Sequence, residues 1–240
     1  MAWIKVCGIT NVEDARLAAE AGADALGFVF AESPRQVNVA TVRMITSHQE
    51  RTIDRVGVFV DATVEQVVNT AIEAGLTAVQ LHGAETVDFA RKLHEELSRL
   101  STPVKIIRTI SLPAAEGGKE EMLGWDPASV GIVEVDPHSA HMKPGVFAAV
   151  LVDSGSAMQR GGTGKTFDWH ATRMLVAFMQ SYTRLIVAGG LNPDNVSEAI
   201  ELFHPWGVDV STGVEMSPGK KNPEKVNAFI SAVRATERRL

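Results

Sequence analysis

The residues of this chain that could do chemistry are few and lie far apart. Its single cysteine, Cys7, stands in "WIKVCGIT", two residues after Lys5 and just ahead of Thr10-x-x-Glu13, a spacing that opens helices. A thiol at a strand end facing a helix start feels amide dipoles that favour thiolate, whereas a buried cysteine elsewhere is a small inert hydrophobe. Asp153 closes "AAVLVD" beside Ser154 and Gly155, where a carboxyl group either carries protons or caps a turn. Arg35 follows Pro34 and is either a solvated charge or a planar fork for a carboxylate. Gln80 and His82, in "VQLHG", earn at most a place in a pocket lining.

The stretch "GGTGKT" at 161–166 has the look of a nucleotide-cradling loop, but that loop needs glycine at position 159, where Gln159 stands, and a strand running straight into it. What remains is a glycine-rich loop, with Gly161, Gly162, Gly164 and Lys165, able to fold over a site and exclude water. Lys165 is then a solvated loop charge or a partner for a phosphate.

Several other chemistries are excluded. Asp136, His138 and His141 lie in a weakly patterned connection without helical ligand spacing, so no metal site is expected. No G-x-S-x-G elbow is present, and no dinucleotide fingerprint follows the first apolar run. Lys5 and Lys105 fall at the starts of their runs, away from the place a Schiff-base lysine would need to reach. A net charge of -6 leaves no basic excess to displace counterions from nucleic acid. No stretch approaches the roughly 20 apolar residues of a membrane span, and "MAWIKVCGIT" carries a charge where a signal peptide needs an apolar run. A cytoplasmic protein with a small-molecule ligand is the expectation, its oligomeric state left open.

The elements that must hold these residues repeat along the chain. "WIKVCGI", "ALGFVF", "RVGVFV", "AVQLHG", "VKIIRTI", "AAVLVDS", "RLIVAGG" and "GVDVSTG" are each too short for a helix and suit a strand buried on both faces. Helical patterns lie between them. Thr10 and Thr63 read as capping-box starts, Asn192-Pro193 and Asn222-Pro223 as starts with proline in the first turn, and Gly22 and Gly75 as helix ends.

Eight such units in 240 residues predict a closed (β/α)8 barrel forming a single domain over 1–240. The connection between strands five and six, 113–146, is interrupted by prolines and glycines and is expected to be elaborated. Chemistry in such a barrel gathers at the C-terminal ends of the strands. The loops after strands seven and eight often hold a phosphate there, which marks Gly189, Gly190, Ser211, Thr212 and Gly213.

"KVCGIT" at 5–10, "GFVF" with "SPR" at 27–35, "VQLHG" at 79–83, "GGTGKTFDW" at 161–169, "AGGLNPDNV" at 188–196 and "VDVSTGVEMSPGKK" at 208–221 together resemble the phosphoribosylanthranilate isomerase family of tryptophan biosynthesis. The resemblance implies an Amadori rearrangement of an aminoaldose phosphate into an aminoketose phosphate, without metal or redox cofactor. It also implies that Asp153 is the general acid, Cys7 the general base and Arg35 the holder of the anthranilate carboxylate, with the five residues after strands seven and eight on the phosphate. Two other readings stand beside it: a dual-substrate isomerase that also serves histidine biosynthesis, and a non-catalytic sugar-phosphate sensor. Barrels of the dual kind typically carry aspartate where this chain has Cys7, and a sensor needs neither Cys7 nor Asp153.

Overall fold

A computed structural model describes residues 1–48, 53–112, 145–153 and 168–240, together with the backbone of 133–135 and 142–144. Eight parallel strands close on themselves: β1 (Trp3–Cys7), β2 (Ala25–Val29), β3 (Asp54–Phe59), β4 (Ala78–Leu81), β5 (Lys105–Ser111), β8 (Ala149–Asp153), β9 (Leu185–Val187) and β10 (Gly207–Val210). The ring closes where β1 pairs with β10, Lys5 opposite Asp209. The expected (β/α)8 barrel is therefore the fold, and each expected strand is present.

Two further strands, β6 (Val133–Val135) and β7 (Met142–Pro144), form an antiparallel hairpin within the connection from β5 to β8, where an elaboration was expected. The remaining pair, β11 (Glu215–Ser217) and β12 (Lys220–Lys221), makes a small hairpin after β10.

The described helices are α1 (Val12–Ala21), α2 (Val39–Ser47), α3 (Val64–Ala74), α4 (Val87–Ser98), α5 (Trp169–Gln180), α6 (Val196–Phe203) and α7 (Pro223–Glu237). Local sequence accounts for most of their ends. Thr63 and Gln66 form the reciprocal capping box, Asn222 caps α7 ahead of Pro223, and Gly22 and Gly75 close α1 and α3 in the left-handed conformation.

Two starts differ from expectation. Asn11, not Thr10, caps α1 by accepting from the Asp14 amide, while the Thr10 hydroxyl donates to the Gly219 carbonyl instead. Helix α6 begins three residues after Pro193, because Asn192 and Asn195 spend their side chains on an intervening turn and on the Gly190 carbonyl.

Strand alternation then decides what faces what. Ile4, Val6, Val79, Leu81, Val150, Val152, Val208 and Val210 point outward into the apolar layer beneath the helices. The other face fills the barrel. Ala25, Val56, Ala78, Ile107, Ala149, Leu151 and Ile186 pack there over Trp3 and Trp206, whose rings stack 5.2 Å apart at the N-terminal end.

Candidate active site

The same alternation sends a column of polar side chains up the barrel interior. Above Trp3 on β1 come Lys5 and Cys7, above Ala78 on β4 come Gln80 and His82, Leu151 on β8 is followed by Asp153, and Gly207 on β10 by Asp209 and Ser211. They converge on a cavity of about 560 Å³ at the C-terminal end, lined by Cys7, Arg35, Gln80, His82, Asp153, Asp209 and Ser211 among others. That volume suits a metabolite-sized ligand. Cys7 and Asp153, 146 positions apart in sequence, thus face one space.

Cys7 is buried, and the floor beneath it is charged. Lys5, with no exposed surface, places its Nζ 2.8 Å from Asp209 Oδ2. Both Lys5 and Cys7 lean over Gly27 on β2, where a Cβ would fall 2.7 Å from the Cys7 sulfur and 2.9 Å from Lys5 Cε. Lys5 therefore occupies the middle of the barrel rather than the start of a strand, within reach of the thiol.

Its charge does not settle the thiol's state. Burial pushes the Cys7 thiol above its ordinary value, with Lys5 and Lys221 pulling against that shift and Asp209 adding to it. The expected preference for thiolate is thus reversed in the free protein, because desolvation outweighs the neighbouring cations. Lys5 itself moves upward: burial opposes its charge, but Asp209 and Cys7 favour it more.

Arg35 reaches the cavity from the loop after β2. Gly8, with φ of 77°, leaves the space that the Arg35 side chain crosses, since a Cβ there would lie 2.6 Å from Cδ. Its fork is not a solvated charge: Nε and Nη2 donate to Glu215 Oε1 and Oε2 at 2.8 and 2.7 Å. Glu215 also accepts from Lys221 Nζ at 2.9 Å, and that ammonium donates in turn to the carbonyls of Cys7, at 2.5 Å, and Ser211. Burial would raise the Glu215 carboxyl, yet Arg35 and Lys221 together hold it below its ordinary value.

Glu215 and Lys221 were not singled out in the sequence. They sit on strands of three and two residues, too short to leave a periodic signature. Asp209 was equally missed, although it lies two residues before Ser211 on the same strand face.

Across the cavity, Asp153 ends β8 nearly buried, with His82 Nε2 3.8 Å from its Oδ2. Gln80 Nε2 stands 3.4 Å from His82 Nδ1 and donates to Thr109 Oγ1 on β5 at 3.0 Å.

The candidate phosphate residues lie on the same face of the barrel. Gly189 and Gly190 both take left-handed φ, 80° and 67°, directly after β9. Gly213 follows β10 so close to Leu191 that a Cβ would sit 2.0 Å from its carbonyl oxygen, which locks the two loops together. Of the five, Ser211 lines the cavity itself. Gly161, Gly162, Gly164 and Lys165 lie outside the described residues, as do Asp136, His138 and His141.

A closed parallel barrel with its polar residues gathered at the C-terminal strand ends defines an enzyme of the (β/α)8 class. The model of one such family, described as N-(5'phosphoribosyl)anthranilate (PRA) isomerase, matches residues 4–122 and 125–232.

Among curated relatives, the N-(5'-phosphoribosyl)anthranilate isomerase of Thermotoga neapolitana is 38% identical over 231 residues, covering 96% of this chain and 97% of that one. The protein of the same name from Desulfitobacterium hafniense is 40% identical over 246 aligned positions, covering 98% of both. Among solved structures, phosphoribosyl anthranilate isomerase from Thermotoga maritima superposes with a TM-score of 0.76 at 34% identity, over 98% of this chain and all of that one. Another, of the isomerase in complex with reduced 1-(o-carboxyphenylamino)-1-deoxyribulose 5-phosphate, has a TM-score of 0.74 at 33% identity, over 98% of this chain and all of that one.

This chain belongs to the phosphoribosylanthranilate isomerase family. Its activity is the isomerisation of N-(5'-phosphoribosyl)anthranilate in tryptophan biosynthesis.

Proposed function

We propose that Asp153 and Cys7 divide the isomerisation between them, as acid and base on opposite walls of one cavity. Asp153 delivers its proton to the furanose ring oxygen of the substrate. The C1–O bond breaks, and the anthranilate nitrogen lone pair forms a cationic C1=N bond. That cation acidifies the hydrogen on C2, which Cys7 removes as thiolate. The C2–H electrons form C1=C2, the C1=N pair returns to nitrogen, and the enolamine tautomerises to the aminoketose. The ring-oxygen proton comes from Asp153 and the C2 proton ends on Cys7, so the cycle closes, without any added cofactor, when one proton passes from the Cys7 thiol back to the Asp153 carboxylate.

The elevated Cys7 thiol fits this order of events. A buried thiol ionises poorly when alone, but positive charge in the pocket favours thiolate. Lys5 and Lys221 supply part of that charge. The substrate's iminium supplies the rest at the moment the base is needed.

Arg35 holds the anthranilate carboxylate through the edge of its guanidinium that Glu215 leaves uncovered, and Gln80 and His82 line the sugar-binding space. The phosphate rests on Gly189, Gly190, Ser211, Thr212 and Gly213, where left-handed glycines turn backbone amides toward a ligand. The whole of 1–240 works as one barrel domain in the cytoplasm.

The observation that carries this reading is that Cys7 and Asp153 line one cavity together with Arg35. Complementation of a tryptophan auxotroph lacking the isomerase tests it. The parent chain supports growth, while Cys7→Ala and Asp153→Asn, expressed to the same level, do not. Equal growth of all three would remove the acid-base assignment.

A further inference from the structure

A chain of polar contacts runs across the cavity floor from β5 to β8 and is not accounted for by the roles above. Thr109 Oγ1 accepts from Gln80 Nε2 at 3.0 Å, and the same amide nitrogen lies 3.4 Å from His82 Nδ1. On the far side of that imidazole, Nε2 is 3.8 Å from Asp153 Oδ2. Gln80 is almost wholly buried, and its carbonyl Oε1 has no hydrogen-bond partner among the described residues. Both of these contacts of the amide are made by its nitrogen, one to a hydroxyl oxygen and one to a ring nitrogen.

We propose that Gln80 is a positioning residue for the proton donor: its amide N–H holds the His82 imidazole neutral, with the ring proton on Nε2 and that N–H turned toward Asp153. A neutral imidazole has one donor and one acceptor nitrogen, and the hydrogen bond made by one fixes the role of the other. With an amide donor at Nδ1, that nitrogen must accept. Protonating it would set N–H against N–H in a buried site, so the imidazolium is disfavoured.

The consequence falls on Asp153. A cation within 4–6 Å of a carboxyl group favours its ionised form. An imidazolium beside Asp153 would therefore strip the acid of the proton it must deliver. A neutral ring leaves that proton in place and still orients the carboxyl through Nε2–H.

The other charged groups lining this cavity are Cys7, Glu32, Arg35 and Asp209. Arg35 is taken up by Glu215, and Asp209 by Lys5. Asp61 and Glu85, on the loops after β3 and β4, accept from the backbone amides of Ala84 and Gly83. Among the described residues, Asp153 is a charged group placed directly against the ring.

The inference rests on the acid role of Asp153, but its structural half is tested without turnover. Nitrogen-15 spectra of the histidine-labelled full-length protein, with His82 assigned by difference from His82→Gln, report the state of each ring nitrogen. Between about pH 6 and pH 8, where an ordinary imidazole titrates, the parent should keep an unprotonated Nδ1 and a protonated Nε2. Gln80→Glu replaces the donor with an acceptor of the same shape and should protonate Nδ1. Gln80→Leu, which introduces no buried charge, should leave the ring a mixture of tautomers that titrates normally.

Both variants should lose at least about tenfold in kcat, within the range a positioned acid contributes, while KM changes by less than about threefold. A parent ring protonated on Nδ1, or nitrogen signals unmoved in both variants, would overturn the proposal. So would altered nitrogen signals with kcat unchanged. Failure of the parent itself to turn over the substrate would instead strike at the acid-base reading, and the parent's ring signals would still decide the tautomer.

Discussion

At the scale of single residues, the site is a set of side chains whose behaviour is set by burial first and by neighbours second. Cys7 is the only cysteine in the chain, so its ionisation is read directly from the pH dependence of alkylation by iodoacetamide. Burial pushes the thiol upward while Lys5 opposes the shift, so the rate should rise through a midpoint above the roughly 8.5 of a free thiol. Lys5→Met removes a favourable cation and leaves Asp209 uncompensated, so the midpoint should move higher still. A midpoint that stays put or falls would contradict the part assigned to Lys5.

Gly213 permits an equally local prediction. A methyl group there would meet the Leu191 carbonyl at 2.0 Å, so Gly213→Ala must displace one of the two loops proposed for the phosphate. KM should rise by about tenfold or more, roughly the 1.4 kcal/mol of one lost phosphate contact, with kcat less affected. Sequence alone brought Cys7, Asp153, Arg35, Gly213 and their neighbours forward, because each ends a recognisable strand or lies in the loop that follows one. It did not show that Arg35 is already held by Glu215, since that contact links residues 180 positions apart.

At the scale of elements, the hairpin β11–β12 acts as a clamp beneath the site. It ties Glu215 to Arg35, Lys221 to the carbonyl of Cys7, and Gly219 to Thr10. Because Glu215 and Lys221 are both nearly excluded from water, removing one charge strands the others. Glu215→Gln should lower the unfolding free energy by about 3 kcal/mol or more, the usual cost of breaking a buried pair, measured by urea denaturation at neutral pH.

The pH dependence follows from the same contact. Glu215 has a folded-state pKa below its unfolded one, so its contribution is complete above the unfolded value, about 4.5, and is lost as pH falls through the folded value. The parent should lose stability across that acid range by a component that Glu215→Gln lacks. Identical acid titrations of the two proteins would show that the clamp contributes nothing. Elements with a strong period or a cap were legible in advance, including α3 with its capping box and α7 with Asn222-Pro223. The clamp was not, because its strands are too short to show alternation.

At the scale of the whole molecule, the barrel separates chemistry from support. Polar groups climb toward the C-terminal face, while Trp3 and Trp206 stack at the opposite end, with Arg184 5.0 Å above the Trp206 ring and the Trp3 indole N–H donating to Asp54. Trp206→Ala should therefore cost about 2 kcal/mol or more in stability, toward the lower end for aromatic truncation because the ring is only half-buried. It should leave kcat/KM within about twofold when measured well below the unfolding transition. A large loss of activity in a fully folded variant would mean the two ends are coupled.

The barrel itself was readable from the recurrence of eight short apolar runs, since closure follows once each has a partner on both sides. Which polar residues face the interior was readable only in part. Strand alternation places Lys5 under Cys7 without further knowledge, but the pairing of Lys5 with Asp209 depends on β1 and β10 meeting at the closure.

The central claim is that Cys7 and Asp153 act together on N-(5'-phosphoribosyl)anthranilate. It is tested most directly by single-turnover rates with substrate deuterated at C2, in the parent and in Cys7→Ser. The parent should show a primary isotope effect on a fast step. Cys7→Ser should be slower by at least about 100-fold, the lower bound for a general base, while still binding the product with unchanged affinity. A Cys7→Ser protein that turns over at the parental rate would contradict the account.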